Sequence, residues 1–139
     1  MSHCLTPEDV RFYIMDRNIA DNDLLLDLNF SEEEIRNAMV RAAREYASIP
    51  PLVDTVCPDC LPMDTNLFLD GTAAQLYVSE LSKLMRNDIE YTSGGVTTNL
   101  VSNRIKHLKE LIKLHQERFV TTATTLKMTT NIHSAFWHY

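Results

Sequence analysis

Between residues 101 and 119 the chain repeats apolar side chains at a spacing that only a helix gathers onto one face. Val101, Ile105, Leu108, Ile112, His115 and Phe119 follow one another at four, three, four, three and four residues. That is a heptad seam about 18 residues long, and it requires a partner along its length. Leu100, Leu111 and Leu114 form a second strip beside it. The apolar face is therefore wider than a two-stranded coiled coil needs, and the helix is expected to pack on more than one neighbour. A central place in a bundle and an additional face between subunits fit the pattern equally well. His115 reads as a seam residue satisfied by a carbonyl or a neighbouring side chain, and His107 falls on the flank.

Two further helices announce their own starts. Thr6 is positioned to cap, Pro7 fits the first helical position, and Glu8 and Asp9 place negative charge against the free amides. This predicts a short helix through about Met15, with Val10 and Ile14 on its apolar face. In FSEEEI, Ser31 and Glu34 are spaced for a reciprocal capping box, and Phe30 and Ile35 for a hydrophobic staple. Ile35, Met39, Ala42 and Tyr46 then form one stripe, and Pro50 and Pro51 end the helix by Ile49.

A third helix is predicted from about Thr72 to Ile89, with Ala74, Tyr77, Leu81, Leu84 and Asp88 at helical spacing. Gly94 and Gly95 separate it from the seam helix, which is expected to start near Thr97 or Thr98 and to run at least to Phe119. Positions 121–130 hold six threonines. Threonine is stiff in a helix and competes for backbone hydrogen bonds, so helix is expected to fray or give way to extended chain here. The expected fold is all-α: a small helical bundle over 1–120 with a long C-terminal-half helix, followed by an extended C-terminal arm over 121–139. Two placements suit the terminal Phe136-Trp137-His138-Tyr139 cluster: folded onto the chain's own core, or anchored in a partner's pocket.

Composition narrows the function. The 139 residues suffice for one hydrophobic core without staples. Residues 1–64 carry thirteen acidic groups against five arginines, while 65–139 carry eight basic against six acidic. Such asymmetry steers copies of a chain onto each other or onto a partner, and it lacks the basic excess of a free duplex-binding protein. Three cysteines, with no secretory pattern ahead of them, point to a reducing compartment, and no run is long and apolar enough for a membrane helix.

The chemical motifs are thin. Cys57-Pro-Asp-Cys60 has the spacing of a zinc or redox pair, but no second pair follows, and only His3 and Cys4 are at hand to complete four ligands. Free thiols are the expectation. Asp21, Asp23 and Asp27 resemble a calcium loop only loosely, since Leu26 stands where the loop needs glycine. Gly94-Gly95 lacks the lysine of a phosphate loop. No catalytic residue, metal or cofactor is expected. Arg104, Lys106, Lys109, Lys113 and Arg118 wrap around the long helix, as a solvated flank or as contacts to acidic protein or a DNA backbone.

The segments LTPEDVRFYI, DNDLLLDLNFSEEEIRNAMVRAAREYASIPP and FLDGTAAQLYVSELSKLMRNDIEYTSGGVTTNLVSNRIKHLKELIKLHQERF together resemble the head–tail connector, or adaptor, proteins of tailed bacteriophages. The resemblance lies in helix order, the long helix after a glycine break and the C-terminal tail, and it spans about residues 5–139. It implies a ring of identical subunits, commonly twelve, beneath the portal protein in the neck of the virion, assembled from chains made in the host cytoplasm. The ring would extend the DNA channel towards a tail-side neck or tail-completion protein without reading sequence. Phe136, Trp137 and Tyr139 become candidate portal anchors, and Arg104, Lys106, Lys109 and Lys113 candidate lumen or intersubunit contacts. The competing readings are a helical protein-binding or regulatory module and, more remotely, a small zinc-binding or redox protein.

Overall fold

The computed structural model describes residues 4–16, 30–50, 66–91 and 98–137, with side chains described except at 87–91, 98–101 and 130–137. Four helices make up the described fold: α1 (Pro7–Ile14), α2 (Glu32–Ser48), α3 (Leu67–Tyr91) and α4 (Thr98–Trp137). This is the all-α bundle that the periodicity predicts.

Both predicted starts are present. Thr6 and Asp9 form a capping box: the Thr6 amide donates to Asp9 Oδ2 at 2.9 Å and the Asp9 amide to Thr6 Oγ1 at 3.4 Å. Ser31 and Glu34 form the second, with both bonds at 3.1 Å. Glu34 also accepts from Lys83 of α3 at 2.8 Å. That bond, with the Ser31 amide, holds its carboxyl below the usual range against the opposing effect of burial. Phe30 and Ile35 are both buried, as a staple requires.

Between α1 and α2, Asp16 is a fixed point. Its Oδ2 accepts from Arg11 Nη1 at 3.0 Å and from the amide of Phe30 at 3.2 Å, tying the end of one helix to the entry of the next. Met15, just before it, terminates α1 with a left-handed backbone, φ 61° and ψ 25°. Among the described residues it is the single non-glycine with positive φ.

Helix α3 is the centre of the bundle and begins at Leu67, earlier than the expected Thr72. Gly71 lies inside this helix. A Cβ at this position would stand 2.7 Å from the Phe119 ring and 3.2 Å from Ala42 Cβ. The absent side chain lets α2 and α4 approach the α3 backbone, and that contact outweighs the roughly 1 kcal/mol by which glycine weakens a helix. Thr72, Ala73 and Ala74 continue the small-residue face and are fully buried, along with Leu67, Phe68 and Leu76.

Helices α3 and α4 are separate and antiparallel: Asp70 meets His115 near one end and Glu80 meets Arg104 near the other. Of the predicted seam, Leu108, His115 and Phe119 are buried and Ile105 and Ile112 half-buried, while the Val101 side chain is outside the described residues. The stripe expected on α2 is likewise inward: Ile35, Met39 and Ala42 are buried, with Tyr46 packed at the edge of the core.

The expected change to extended chain after Val120 does not occur, and α4 continues as helix to Trp137. The helix accommodates the threonine hydroxyls, and burial of its inner face keeps it intact. The hydroxyls turn back onto the helix itself, Thr124 to the Val120 carbonyl at 2.8 Å, Thr125 to Thr121 and Thr129 to Thr125 at 2.9 Å. The seam also extends past Phe119, because Ala123 and Lys127, each four residues on, are buried. Lys127 Nζ donates to the carbonyls of Tyr46 and Ile49 and lies 4.5 Å from the centroid of the Tyr46 ring. It thereby supplies from α4 the cation that the last turn of α2 lacks.

Candidate functional site

The polar groups that the core encloses converge on His115. Its Nδ1 lies 2.8 Å from Asp70 Oδ1, and both residues are more than nine-tenths buried. Since an ionised carboxylate only accepts, the imidazole carries its proton on Nδ1. Tyr13 donates its hydroxyl to the same Asp70 oxygen at 2.6 Å. The Tyr13 ring meets the imidazole edge-on, with centroids 5.8 Å apart, and the Tyr77 ring lies 5.7 Å away at a tilt of 32°. One carboxylate of α3 thus joins α1 to α4, and His115 is satisfied by a neighbouring side chain as its seam position predicts.

A second junction stands on Glu45 of α2. Gln75 of α3 donates to Glu45 Oε2 at 3.1 Å, and Gln116 of α4 donates to Oε1. His115 and Gln116 are consecutive, so α4 presents one polar residue to α3 and α1 and the next to α2. Together the two junctions fix the rotation and register of α4, which a uniformly apolar seam specifies poorly.

The environment of Tyr13 has a measurable consequence. Burial, the bond to Asp70 and the Asp70 charge push its phenol up to about 12, against an opposing contribution from Arg118. Burial raises Tyr46, and burial with the charge of Glu80 raises Tyr77. Between the unfolded value of 10.0 and the folded value of about 12, the native state holds the Tyr13 proton that the unfolded chain has released. Stability is therefore expected to be intact below pH 10 and to fall as pH rises towards 12. Urea midpoints across that window would show it, and Tyr13→Phe should flatten the slope. An unchanged slope would mean that Tyr13 does not carry this linkage.

The outer surface of α4 has two exposed sectors. Lys106, Lys109 and Lys113, at spacings of three and four, lie along one. Arg104 is on another side, ion-paired to Glu80 of α3 at 2.6 Å. The basic groups lie on different sides of α4, as their spacing predicts: three lysines share a stripe, and the arginine braces the α3–α4 pair. Lys113 has Glu117 at 4.0 Å. The second sector holds His107, Leu111 and Leu114. The two leucines, on the strip predicted to meet another neighbour, are 37% and 43% exposed within the single chain.

Phe136 and Trp137 lie on the last turn of α4 by backbone, their side chains outside the described residues, and Tyr139 lies outside them altogether. Cys57, Cys60 and the Asp21, Asp23 and Asp27 set are likewise outside, while Cys4 is an exposed free thiol. Among the described residues no three potential ligands stand together for a metal ion, and no helix is long and apolar enough to cross a membrane.

Sequence reasoning missed Asp70, Glu45 and Lys127. Asp70 did leave a signal: a lone charge inside LFLDGTAA, in a segment otherwise apolar or small, has to be buried with a partner. Comparison with family models, with curated proteins and with solved structures yields no match to the chain.

Proposed function

We propose that the chain is a structural subunit that assembles with copies of itself, as a ring-forming head-to-tail adaptor in the neck of a tailed phage virion. The observation that carries this reading is the shape of α4. At 40 residues it is about 60 Å long, against about 37 Å for the 25 residues of α3. Phe119 lies over Gly71, one turn inside the start of α3, and Lys127 reaches the end of α2 at Tyr46 and Ile49. Residues 128–137 therefore continue past the described ends of both helices. A helix that outruns its bundle, with an apolar strip exposed along its outer side, suits a subunit whose neighbours complete it.

In this reading Phe136, Trp137 and Tyr139 are the portal anchors at the end of the projecting helix. Lys106, Lys109 and Lys113 line the channel or meet acidic surface of the adjacent copy. Arg104 is assigned to holding α3 against α4. The subunit's partners are copies of itself, the portal protein, a tail-side neck or tail-completion protein, and DNA passing without sequence recognition.

Deletion of residues 129–139 tests the assignment, because it removes the projection and retains Lys127. The shortened chain is expected to lose only the share of helical circular dichroism that residues 129–137 contribute and to keep its melting temperature, while losing attachment to portal complexes in co-sedimentation. Unfolding on deletion would place the terminal aromatics in the subunit's own core. Normal attachment would remove the anchor role. Electron micrographs of the full chain with portal separate the classes: a coaxial ring supports an adaptor, and scattered monomers favour a helical binding module.

A further inference from the structure

We propose that the crevice between α2 and α3 binds a carboxylate group, held by the Arg41 guanidinium with Asn37 and Ser79 as hydrogen-bonding walls. The site goes beyond the ring reading and does not depend on it.

The crevice has a volume of about 140 Å³ and is lined by Glu34, Asn37, Ala38 and Arg41 of α2 and by Ser79 and Lys83 of α3. Its shape follows from spacing. Asn37 and Arg41 are four apart on one helix and Ser79 and Lys83 four apart on the other, so neighbouring turns of each helix form the sides. Ala38, on the inner side of α2, is buried and too short to fill the gap. What remains is a polar notch large enough for a carboxylate and the few atoms that carry it.

The charges in the notch do not balance. Glu34 has its partners: Lys83 donates to its Oε1 at 2.8 Å and the Ser31 amide to its Oε2 at 3.1 Å. Both bonds hold its carboxyl below the usual range, so it stays ionised and cancels the charge of Lys83. Arg41 is left over. Its guanidinium is exposed and makes no hydrogen bond or ion pair among the described residues, and the same holds for the Asn37 amide. By contrast, Arg11, Arg36 and Arg104 each pair with a carboxylate of this chain.

A guanidinium presents its donors in a planar fork that matches the two oxygens of a carboxylate. Asn37 adds side-chain N–H donors at the same wall. The Ser79 hydroxyl, bonded at 3.2 Å to the Gln75 carbonyl, can turn to a better acceptor. Glu34, Lys83 and Arg41 together leave one positive charge, which a single carboxylate neutralises. A phosphate dianion would set its second charge against Glu34, so the notch favours the singly charged group.

Ligand-observed nuclear magnetic resonance reads such binding whether the chain is a monomer or a ring. Saturation transfer from the full chain to acetate, at an ionic strength fixed with sodium chloride, is expected to level off with acetate concentration. Arg41→Gln keeps a helix-favouring residue at an exposed position and should weaken binding roughly tenfold or more, the effect of losing a charged hydrogen-bond donor. Arg44→Gln removes another exposed arginine, one turn on and outside the crevice, and should leave binding unchanged. Circular dichroism verifies both folds. N-acetylglutamate amide presents the same group as a protein side chain does: if it binds tighter than acetate the site takes an acidic residue of a protein, and if acetate binds tighter it takes a free acid. Inorganic phosphate should displace either ligand poorly. Equal losses in the two variants, or a signal that never levels off, would reduce Arg41 to a solvated surface charge and overturn the site. Phosphate that displaces acetate at lower concentration than acetate itself binds would overturn the assignment to carboxylates.

Discussion

Phe119→Ala is expected to cost about 3–5 kcal/mol of fold stability, the range for emptying a fully buried aromatic site. Gly71→Ala is expected to destabilise as well, by about 1–3 kcal/mol, although alanine is the better helix former. The added Cβ would meet the Phe119 ring at 2.7 Å, and that ring is enclosed and has nowhere to move. The sign of the second substitution depends on the first. With Phe119 already alanine, the obstructing ring is gone and only Ala42, at 3.2 Å, remains near. Gly71→Ala should then be neutral or stabilising by up to about 1 kcal/mol, its ordinary helix preference. Chemical denaturation of the two single variants and the double variant gives the coupling directly. If the two effects add to within ~0.5 kcal/mol, Gly71 is not held small by this ring.

The other large effect centres on Asp70. Asp70→Ala removes the shared acceptor of Tyr13 and His115 and leaves the buried imidazole and the half-buried phenol without it. The expected loss is about 2–4 kcal/mol, the cost of leaving two such groups without their acceptor. Asp70→Asn keeps one carbonyl oxygen and should lose less. It also removes the charge that helps hold the Tyr13 proton, so the alkaline titration of Tyr13 should move down from about 12. Denaturation midpoints and tyrosinate absorbance read the two consequences separately. A loss below ~1 kcal/mol for Asp70→Ala would show that α1 is held by its apolar contacts alone.

The role of Asp70 marks where reading the sequence stops. Helix starts are local: Thr6 with Asp9 and Ser31 with Glu34 lie three residues apart and satisfy their own amides wherever the chain goes. The inward face of α4 is also local in origin, because the seam from Leu108 to Phe119 follows from a 3.6-residue turn. What surrounds a residue is not local. Asp70 and His115 are 45 positions apart, and Lys127 reaches carbonyls about 80 positions upstream. No spacing rule anticipates pairs whose proximity the fold creates.

The amino-acid sequence thus determined by itself the helical class, the two capped starts and the apolar face of the long helix, since each rests on interactions within a turn or two. Tertiary structure alone decided that Gly71 lies inside a helix, that α4 runs through its threonines to Trp137, and that Leu111 and Leu114 are left exposed. In all three cases packing set aside a local preference or chose between two equal ones. Close approach of Phe119 to Gly71, and burial of Ala123 and Lys127, contribute more than glycine or threonine propensity takes away. The seam faces inward as its spacing dictates, but whether the strip beside it is covered depends on where the other helices lie.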